Sequence, residues 1–128
     1  MNPPIMSPKI LIVDDEENML LLLKKVLGKE GYQIICAASA EQGLEKIGKE
    51  AINLAIIDQR MPIINGLDLL QRLKTMNPDL PVIVITAFPS WEKEQEARAM
   101  GCLDYLSKPL DLKSLKEIIK NQFIAKRR

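Results

Sequence analysis

Histidine is absent from the 128-residue sequence, and cysteine and aromatic residues are scarce. Without histidine the chain forms neither a Ser-His-Asp or Cys-His catalytic site nor a histidine-ligated metal centre, and it carries no phosphohistidine of its own. Two cysteines, Cys36 and Cys102, are too few for a disulfide framework or a zinc site. We expect both to be small buried hydrophobic side chains of a protein in a reducing compartment.

The sequence also lacks long apolar runs and an excess of charge. No run approaches the roughly 18 apolar residues of a membrane span, and no basic segment precedes an apolar core at the N-terminus. We therefore expect no membrane association and a cytoplasmic location. Lysine and arginine total 18 against 17 aspartate and glutamate, a net charge of +1, which predicts no direct nucleic-acid binding.

Short apolar runs alternate with helical patterns along the chain. Continuous apolar runs are typical of strands buried on both faces of a sheet. They occupy residues 9–13, 33–37, 54–57 and 82–85, with a weaker run at 104–107. Each is followed by a helical segment, and Ser39, Ser90 and Asp111 are candidate helix caps. Five strand–helix repeats predict an α/β fold with a parallel sheet and helices on both faces.

Two apolar features allow more than one interpretation. Met19 to Leu23 is a run of five apolar residues in the first helical segment. Core packing is the preferred interpretation, and a dimer or kinase-docking surface is the alternative. Trp91 is equally compatible with packing at a helix start and with an exposed contact for a partner.

Polar residues end four of the five apolar runs. The carboxyl ends of parallel strands meet at one edge of a sheet, where ligands bind. The residues at these ends are Asp14 and Asp15, Asp58, Thr86, and Ser107-Lys108-Pro109. Two carboxylates about 4 Å apart repel by about 4 kcal/mol at an effective dielectric of 20, so this set indicates a bound cation. Oxygen ligands favour Mg²⁺, and a lysine with a hydroxyl is suited to phosphoryl oxygens.

Asp58 stands alone at the end of the middle run and is the candidate nucleophile. A carboxylate that attacks phosphorus forms a labile acyl phosphate, which is a temporary charge suited to signalling. Arg60 lies two residues further on and cannot serve as a general acid or base at neutral pH. The sequence therefore disfavours a phosphohydrolase of the haloacid-dehalogenase type.

In these segments the sequence resembles the receiver domains of response regulators, the CheY-like family of two-component signalling. The similarity covers Lys9 to Ala125. The matching segments are Val13-Asp14-Asp15-Glu16, Asp58-Gln59-Arg60-Met61-Pro62 with Gly66, Thr86-Ala87, Tyr105 and Lys108-Pro109. The resemblance implies a single doubly wound (βα)5 flavodoxin-like domain over residues 9–125, with strand order 2-1-3-4-5. Residues 1–8 would be a flexible tail, and residues 126–128 a basic tail or the start of a linker.

The resemblance also implies a role for each residue of the site. Asp58 would accept a phosphoryl group from a histidine kinase or phosphotransfer protein, with Mg²⁺ as cofactor. The metal ligands would be Asp15, Asp58 and the backbone carbonyl of Arg60, with Asp14 acting through water. The phosphoryl oxygens would be bound by Lys108, Thr86 and Ala87, and the Lys108–Pro109 peptide bond would be cis.

The same resemblance implies a switch. Thr86 and Tyr105 would relay phosphorylation to the face formed by the fourth helix, fifth strand and fifth helix. That face would serve a homodimer, a partner, or a C-terminal output domain outside this chain, including one that regulates transcription. Such a chain is a signalling domain that assists only its own phosphorylation and dephosphorylation, not an enzyme. A receiver-like interaction module that never uses phosphate is the alternative.

Three residues depart from the commonest pattern of the family. Arg60 and Phe88 flank the expected phosphate position, where they would affect access of the water that hydrolyses the acyl phosphate. Pro89 follows at once and fixes the backbone φ angle in the loop before the fourth helix.

Overall fold

The computed structural model describes residues 7–126, in which five strands alternate with five helices. The strands are β1 (Lys9–Val13), β2 (Gln33–Ala37), β3 (Leu54–Asp58), β4 (Val82–Thr86) and β5 (Asp104–Ser107). The helices are α1 (Glu17–Gly28), α2 (Ala40–Lys49), α3 (Gly66–Met76), α4 (Trp91–Ala99) and α5 (Leu112–Lys126).

All neighbouring strands are parallel, and their order across the sheet is β2-β1-β3-β4-β5. The predicted α/β class and strand order are confirmed. The order reverses between β1 and β3, so the carboxyl ends of these two strands border the crevice where ligands bind in folds of this kind. Asp14 follows β1 directly, and Asp58 is the last residue of β3.

The core lies on both faces of the sheet. On one face β-strand residues pack with Leu69, Leu70 and Leu73 of α3 and with Ala97 of α4. On the other face they pack with Leu23 and Leu27 of α1 and with apolar residues of α5. Every residue of β3 and β4 is buried, as expected from their continuous apolar runs. Cys36 and Cys102 are half-buried free thiols rather than fully buried ones.

Side-chain caps start four of the helices. At α5 the predicted Asp111 cap accepts a hydrogen bond from the Ser114 backbone N–H. The Ser39 hydroxyl accepts a hydrogen bond from the Gln42 backbone N–H, and the Ser90 hydroxyl accepts one from the Lys93 backbone N–H. The Asn65 side chain, which the sequence analysis does not single out, caps α3 next to Asp58. Each cap satisfies a backbone donor that would otherwise lack a partner.

The apolar run in α1 divides between core and surface. Leu20 and Leu23 are buried, but Leu21 and Leu22 are 59% and 42% exposed. A helix turns 100° per residue, so five consecutive apolar residues cannot all face the sheet. Core packing therefore accounts for only part of this run. Trp91 is 72% exposed, which removes the interpretation as a packing residue.

Both ends of the described chain join the domain. Ser7 donates a hydrogen bond to the Gly31 carbonyl, and the Gln33 N–H donates one to the Pro8 carbonyl. At the other end, α5 continues to Lys126. The remainder of the two expected tails, residues 1–6 and 127–128, lies outside the described residues. Between residues 7 and 126, no helix has the length and apolar character needed to cross a membrane.

Candidate functional site

Lys108 lies among carboxylates from two other strand ends. Its ammonium Nζ is 3.2 Å from Asp14 Oδ2 and 3.2 Å from Asp58 Oδ2. Asp14 is fully buried and Asp58 is 4% exposed, and the Lys108 side chain is only 10% exposed. The structure thus brings together Asp14, Asp58 and Lys108, as expected from the ends of β1, β3 and β5.

Glu16 is part of this cluster, although the sequence analysis gives it no role. Lys108 Nζ lies 2.8 Å from Glu16 Oε1. Carboxylate oxygens of Asp14, Glu16 and Asp58 lie within 4.8 Å of one another, a spacing that could hold a metal ion. The signal in the sequence is the position of Glu16 directly after the acidic pair.

Asp15 lies beside this cluster rather than in it. It is exposed, and it is not a member of the group formed by Asp14, Glu16 and Asp58. Instead it lines a cleft of about 570 Å³ beside the site, together with Arg60 and Phe88. The repulsion expected from the sequence therefore includes the buried Asp14–Asp58 pair, and the charge of Lys108 opposes it.

Backbone donors orient both buried carboxylates. Asp14 Oδ1 accepts a hydrogen bond of 2.9 Å from the Glu16 N–H, and Asp58 Oδ1 accepts one of 3.2 Å from the Arg60 N–H. This bond to the backbone two residues further on is typical of aspartate in turns. Each carboxylate therefore keeps its Oδ2 for Lys108 or for a ligand.

Burial dominates the electrostatics of Asp14. The pKa of this carboxyl is raised to about 6, chiefly by desolvation and also by the nearby charge of Asp58, against the opposing effects of the Glu16 N–H and Lys108. Burial of Lys108 opposes its charged form. The bond to Glu16 and the charges of Asp14 and Asp58 outweigh that effect, so the pKa of Lys108 is raised. The lysine is a permanent cation in this setting.

Thr86 and Ala87 lie at the end of β4 beside this cluster. Thr86 is fully buried, and its hydroxyl oxygen accepts a hydrogen bond of 3.0 Å from the Phe88 N–H. The hydroxyl proton stays available for an anion. Ala87 is exposed at the start of the loop, where the backbone is the only group that it offers to a ligand.

Tyr105 points into the protein. It is 8% exposed, and its hydroxyl donates a hydrogen bond to Gln59 Oε1. Burial raises the pKa of the Tyr105 hydroxyl, while the Ser90 backbone opposes that shift. Gln59 directly follows Asp58, so the aromatic side chain expected to act in the switch contacts the neighbour of the candidate phosphoacceptor. No pattern in the sequence indicates this partner.

Arg60 and Phe88 interact across the mouth of the site. The Arg60 guanidinium carbon lies 4.3 Å from the centre of the Phe88 ring, a cation–π contact. Phe88 is 59% exposed. Arg60 and Phe88, two of the three residues that depart from the family pattern, are therefore a contacting pair.

A backbone hydrogen bond holds Lys108, in the loop after β5, against the end of β4. The Lys108 N–H donates a hydrogen bond of 2.8 Å to the Thr86 carbonyl. The peptide bond between Lys108 and Pro109 is cis. The end of β5 and the end of β4 are thus joined next to the side chains of Asp58 and Thr86.

This arrangement has the parts of a phosphoryl-transfer site. A buried carboxylate, a cluster of oxygen ligands, a permanent cation and a hydroxyl lie at one edge of the sheet. The donors are all hard oxygens, which suits Mg²⁺ and not a soft transition metal. Lys108 and Thr86 supply the electrostatic complement of a phosphoryl group.

Comparisons with known proteins agree with this arrangement. The profile of the response regulator receiver domain matches residues 10–120. The chain is 35% identical over 116 residues to sporulation initiation phosphotransferase F of Bacillus subtilis, covering 91% of this chain and 94% of that protein. It is 39% identical to the transcriptional regulatory protein ZraR of Klebsiella oxytoca, covering 83% of this chain but only 24% of that protein.

Solved structures give the same result. A CheY-like response regulator receiver domain protein from Methanospirillum hungatei superposes with a TM-score of 0.90 at 34% identity. The match covers 94% of this chain and 97% of that one. The similarity thus extends over nearly the whole described fold.

Proposed function

This chain belongs to the response regulator receiver domain family, and from that premise we propose that Asp58 accepts a phosphoryl group from a phosphohistidine. Receiver domains are phosphorylation-dependent signalling switches of two-component systems. The observation that carries the proposal is the contact of Lys108 with the buried Asp58 carboxylate, beside Asp14 and Glu16. The Asp58 oxygen attacks phosphorus while the bond from phosphorus to the donor imidazole nitrogen breaks, which leaves an acyl phosphate on Asp58.

Receiver domains use Mg²⁺ held in an acidic pocket. We propose Asp58, the Arg60 carbonyl and Asp15 as its ligands here, with Asp14 acting through water, since Asp15 and Arg60 line the same cleft beside the site. Glu16 joins Asp14 and Asp58 as an additional carboxylate within reach of the same position. When bound, Mg²⁺ supplies positive charge that offsets the charge of the carboxylates and the phosphoryl oxygens.

Lys108 and Thr86 are the proposed phosphoryl ligands. Lys108 Nζ already lies 3.2 Å from Asp58 Oδ2, so a phosphoryl oxygen on Asp58 comes within its reach. The Thr86 hydroxyl and the Ala87 backbone offer donors from the adjacent strand end. We propose that these groups promote phosphorylation and dephosphorylation of this chain itself, with no further enzymatic activity.

The partners are proposed from the relatives. Receiver domains interact with histidine kinases or phosphotransfer proteins, and we propose a cytoplasmic partner of this kind as the donor. The chain covers only 24% of ZraR, a transcriptional regulatory protein. We propose an output domain outside this chain and a role in transcription. We propose residues 9–125 as the receiver unit and the α4–β5–α5 face as the surface for output or for a homodimer.

Replacing Lys108 by methionine is expected to slow phosphoryl uptake from acetyl phosphate in the presence of Mg²⁺ by about 100-fold. The variant keeps Asp58 but removes the only described ammonium in contact with its carboxylate. The measurement is the fraction of phosphorylated protein against time, followed by intact mass.

Lys113→Met is the matched control. Lys113 is an exposed residue of α5, so the same loss of one positive charge is expected to leave the rate unchanged. Equal rates for Lys108→Met and the unmodified protein would refute the assigned role of Lys108.

A further inference from the structure

We propose that Gln59 is a positioning residue that holds Tyr105 in its inward orientation through the hydrogen bond between the two side chains. The proposal rests on the proposed switch function, in which Tyr105 connects the phosphorylation site with the α4–β5–α5 face. It assigns to the residue after Asp58 a role in setting that connection.

The first observation is that the backbone of Gln59, which carries the acceptor side chain, is held in place on two sides. Its backbone N–H donates a hydrogen bond of 2.8 Å to the Ile85 carbonyl, and its own carbonyl accepts one of 2.8 Å from the Gly66 N–H. Gly66 packs so closely that an added Cβ would lie 2.5 Å from the Gln59 Cα. The Gln59 backbone is therefore held between β4 and the start of α3, and only 7% of the residue is exposed.

The second observation is that the bond crosses the sheet. Gln59 directly follows β3 and Tyr105 belongs to β5, so their side chains meet across β4. The Tyr105 ring packs in the same core cluster as Leu70 of α3 and Ala97 of α4. A hydroxyl in such a place requires a hydrogen-bond partner, since leaving it without one is unfavourable. Gln59 Oε1 supplies that partner.

The third observation is that Tyr105 is also joined to α4. Its backbone N–H donates a 2.8 Å hydrogen bond to Asp104 Oδ1. The same carboxylate oxygen lies 3.3 Å from Arg98 of α4, and Arg98 in turn pairs with Glu94 at 2.8 Å. The backbone of Tyr105 is therefore linked to α4 through Asp104, while its side-chain hydroxyl is linked to Gln59.

The inward orientation of Tyr105 has a source within the protein itself. The bond that holds it joins the side chains of Tyr105 and Gln59, and neither partner is Thr86, Lys108 or Asp58. The inward orientation therefore does not depend on a phosphoryl group alone. Loss of the acceptor is expected to favour an orientation in which the Tyr105 hydroxyl reaches water, and to lower the inward population about tenfold.

The test uses the two tyrosines of the chain. The protein is labelled with 3-fluorotyrosine and studied by fluorine NMR without a phosphodonor, and Tyr105→Phe assigns the two signals. Tyr32 packs against Phe123 on the other side of the sheet and serves as the internal reference. We expect Tyr105 to give a solvent-shielded signal in the unmodified protein and a solvent-exposed one in Gln59→Met, with Tyr32 unchanged.

Two further variants separate positioning from general damage. Gln71→Met makes the same chemical change at an exposed position of α3 and is expected to leave both signals in place. Tyr105→Phe is expected to reduce stability in the unmodified background but not in the Gln59→Met background, because the bond is already lost there. A shielded Tyr105 signal in Gln59→Met, or an equal effect of Tyr105→Phe in both backgrounds, would overturn the proposal.

Failure of this inference and failure of the proposed function are distinguishable. None of these measurements requires phosphorylation. In a separate experiment with acetyl phosphate and Mg²⁺, Gln59→Met is expected to take up a phosphoryl group, because it keeps Asp58, Thr86 and Lys108. If the unmodified protein takes up none, the proposed function fails while the result for Tyr105 still stands.

Discussion

Replacing Gly66 by alanine is expected to destabilise the protein by about 3 kcal/mol. An added Cβ would lie 2.1 Å from the Asp58 carbonyl oxygen and 2.5 Å from the Gln59 Cα. Both are backbone atoms, so α3 must move away from the end of β3, and the hydrogen bond from the Gly66 N–H to the Gln59 carbonyl weakens. The free energy of unfolding in urea, measured with a chelator present, is the readout.

Gly48→Ala is the control for this substitution. Gly48 is an exposed residue of α2, and nothing lies within 4 Å of the position of an added Cβ. Alanine is the better helix former, so the variant is expected to gain about 0.5–1 kcal/mol. An equal change of stability in both variants, or a neutral Gly66→Ala, would contradict the close packing of α3 against Asp58 and Gln59.

Asp14→Asn is expected to stabilise the metal-free protein by about 2–3 kcal/mol at pH 7. Burial raises the pKa of Asp14 from 3.8 to about 6, so its ionised form is disfavoured in the folded state. Because the folded carboxyl binds its proton more tightly than the unfolded one, its contribution to stability increases as the pH falls from above 6 towards 3.8. The asparagine side chain stays neutral at every pH, so the variant is expected to lack this increase. The measurement is the free energy of unfolding in urea against pH, with a chelator present.

Asp15→Asn makes the same change at the adjacent exposed position. Its effect on the metal-free protein is expected to stay within about 0.5 kcal/mol, as for most surface substitutions. The sequence alone predicts that the charge of Asp15 contributes to the repulsion, whereas the structure assigns that effect to Asp14. A loss of stability in Asp14→Asn, or an unchanged pH profile, would contradict this assignment.

Local signals predicted the framework because they act within a few residues. Apolar runs located all five strands, and β3 and β4 each continue one residue beyond the run, to Asp58 and Thr86. The Ser39 and Ser90 caps start α2 and α4 as expected. Since parallel strands end at one edge of the sheet, the strand positions alone predicted that Asp14, Asp58 and Lys108 lie close together.

The features that the sequence analysis missed depend on turn geometry and on contacts across the sheet. The turn after β1 brings Glu16, not Asp15, to Lys108. The bond from Tyr105 to Gln59 joins residues 46 positions apart, and no periodicity indicates it. The apolar run in α1 shows only that its residues are apolar. The angular position of each on the helix decides that Leu21 and Leu22 are exposed while Leu20 and Leu23 are buried.

The most direct test of the account is the intact mass of the protein after incubation with Mg²⁺ and acetyl phosphate. Asp58→Asn and the unmodified protein with a chelator are the controls. We expect one added phosphoryl group on the unmodified protein and none in either control. An equal adduct on Asp58→Asn would contradict it, as would a protein that neither takes up a phosphoryl group nor binds beryllofluoride in the presence of Mg²⁺.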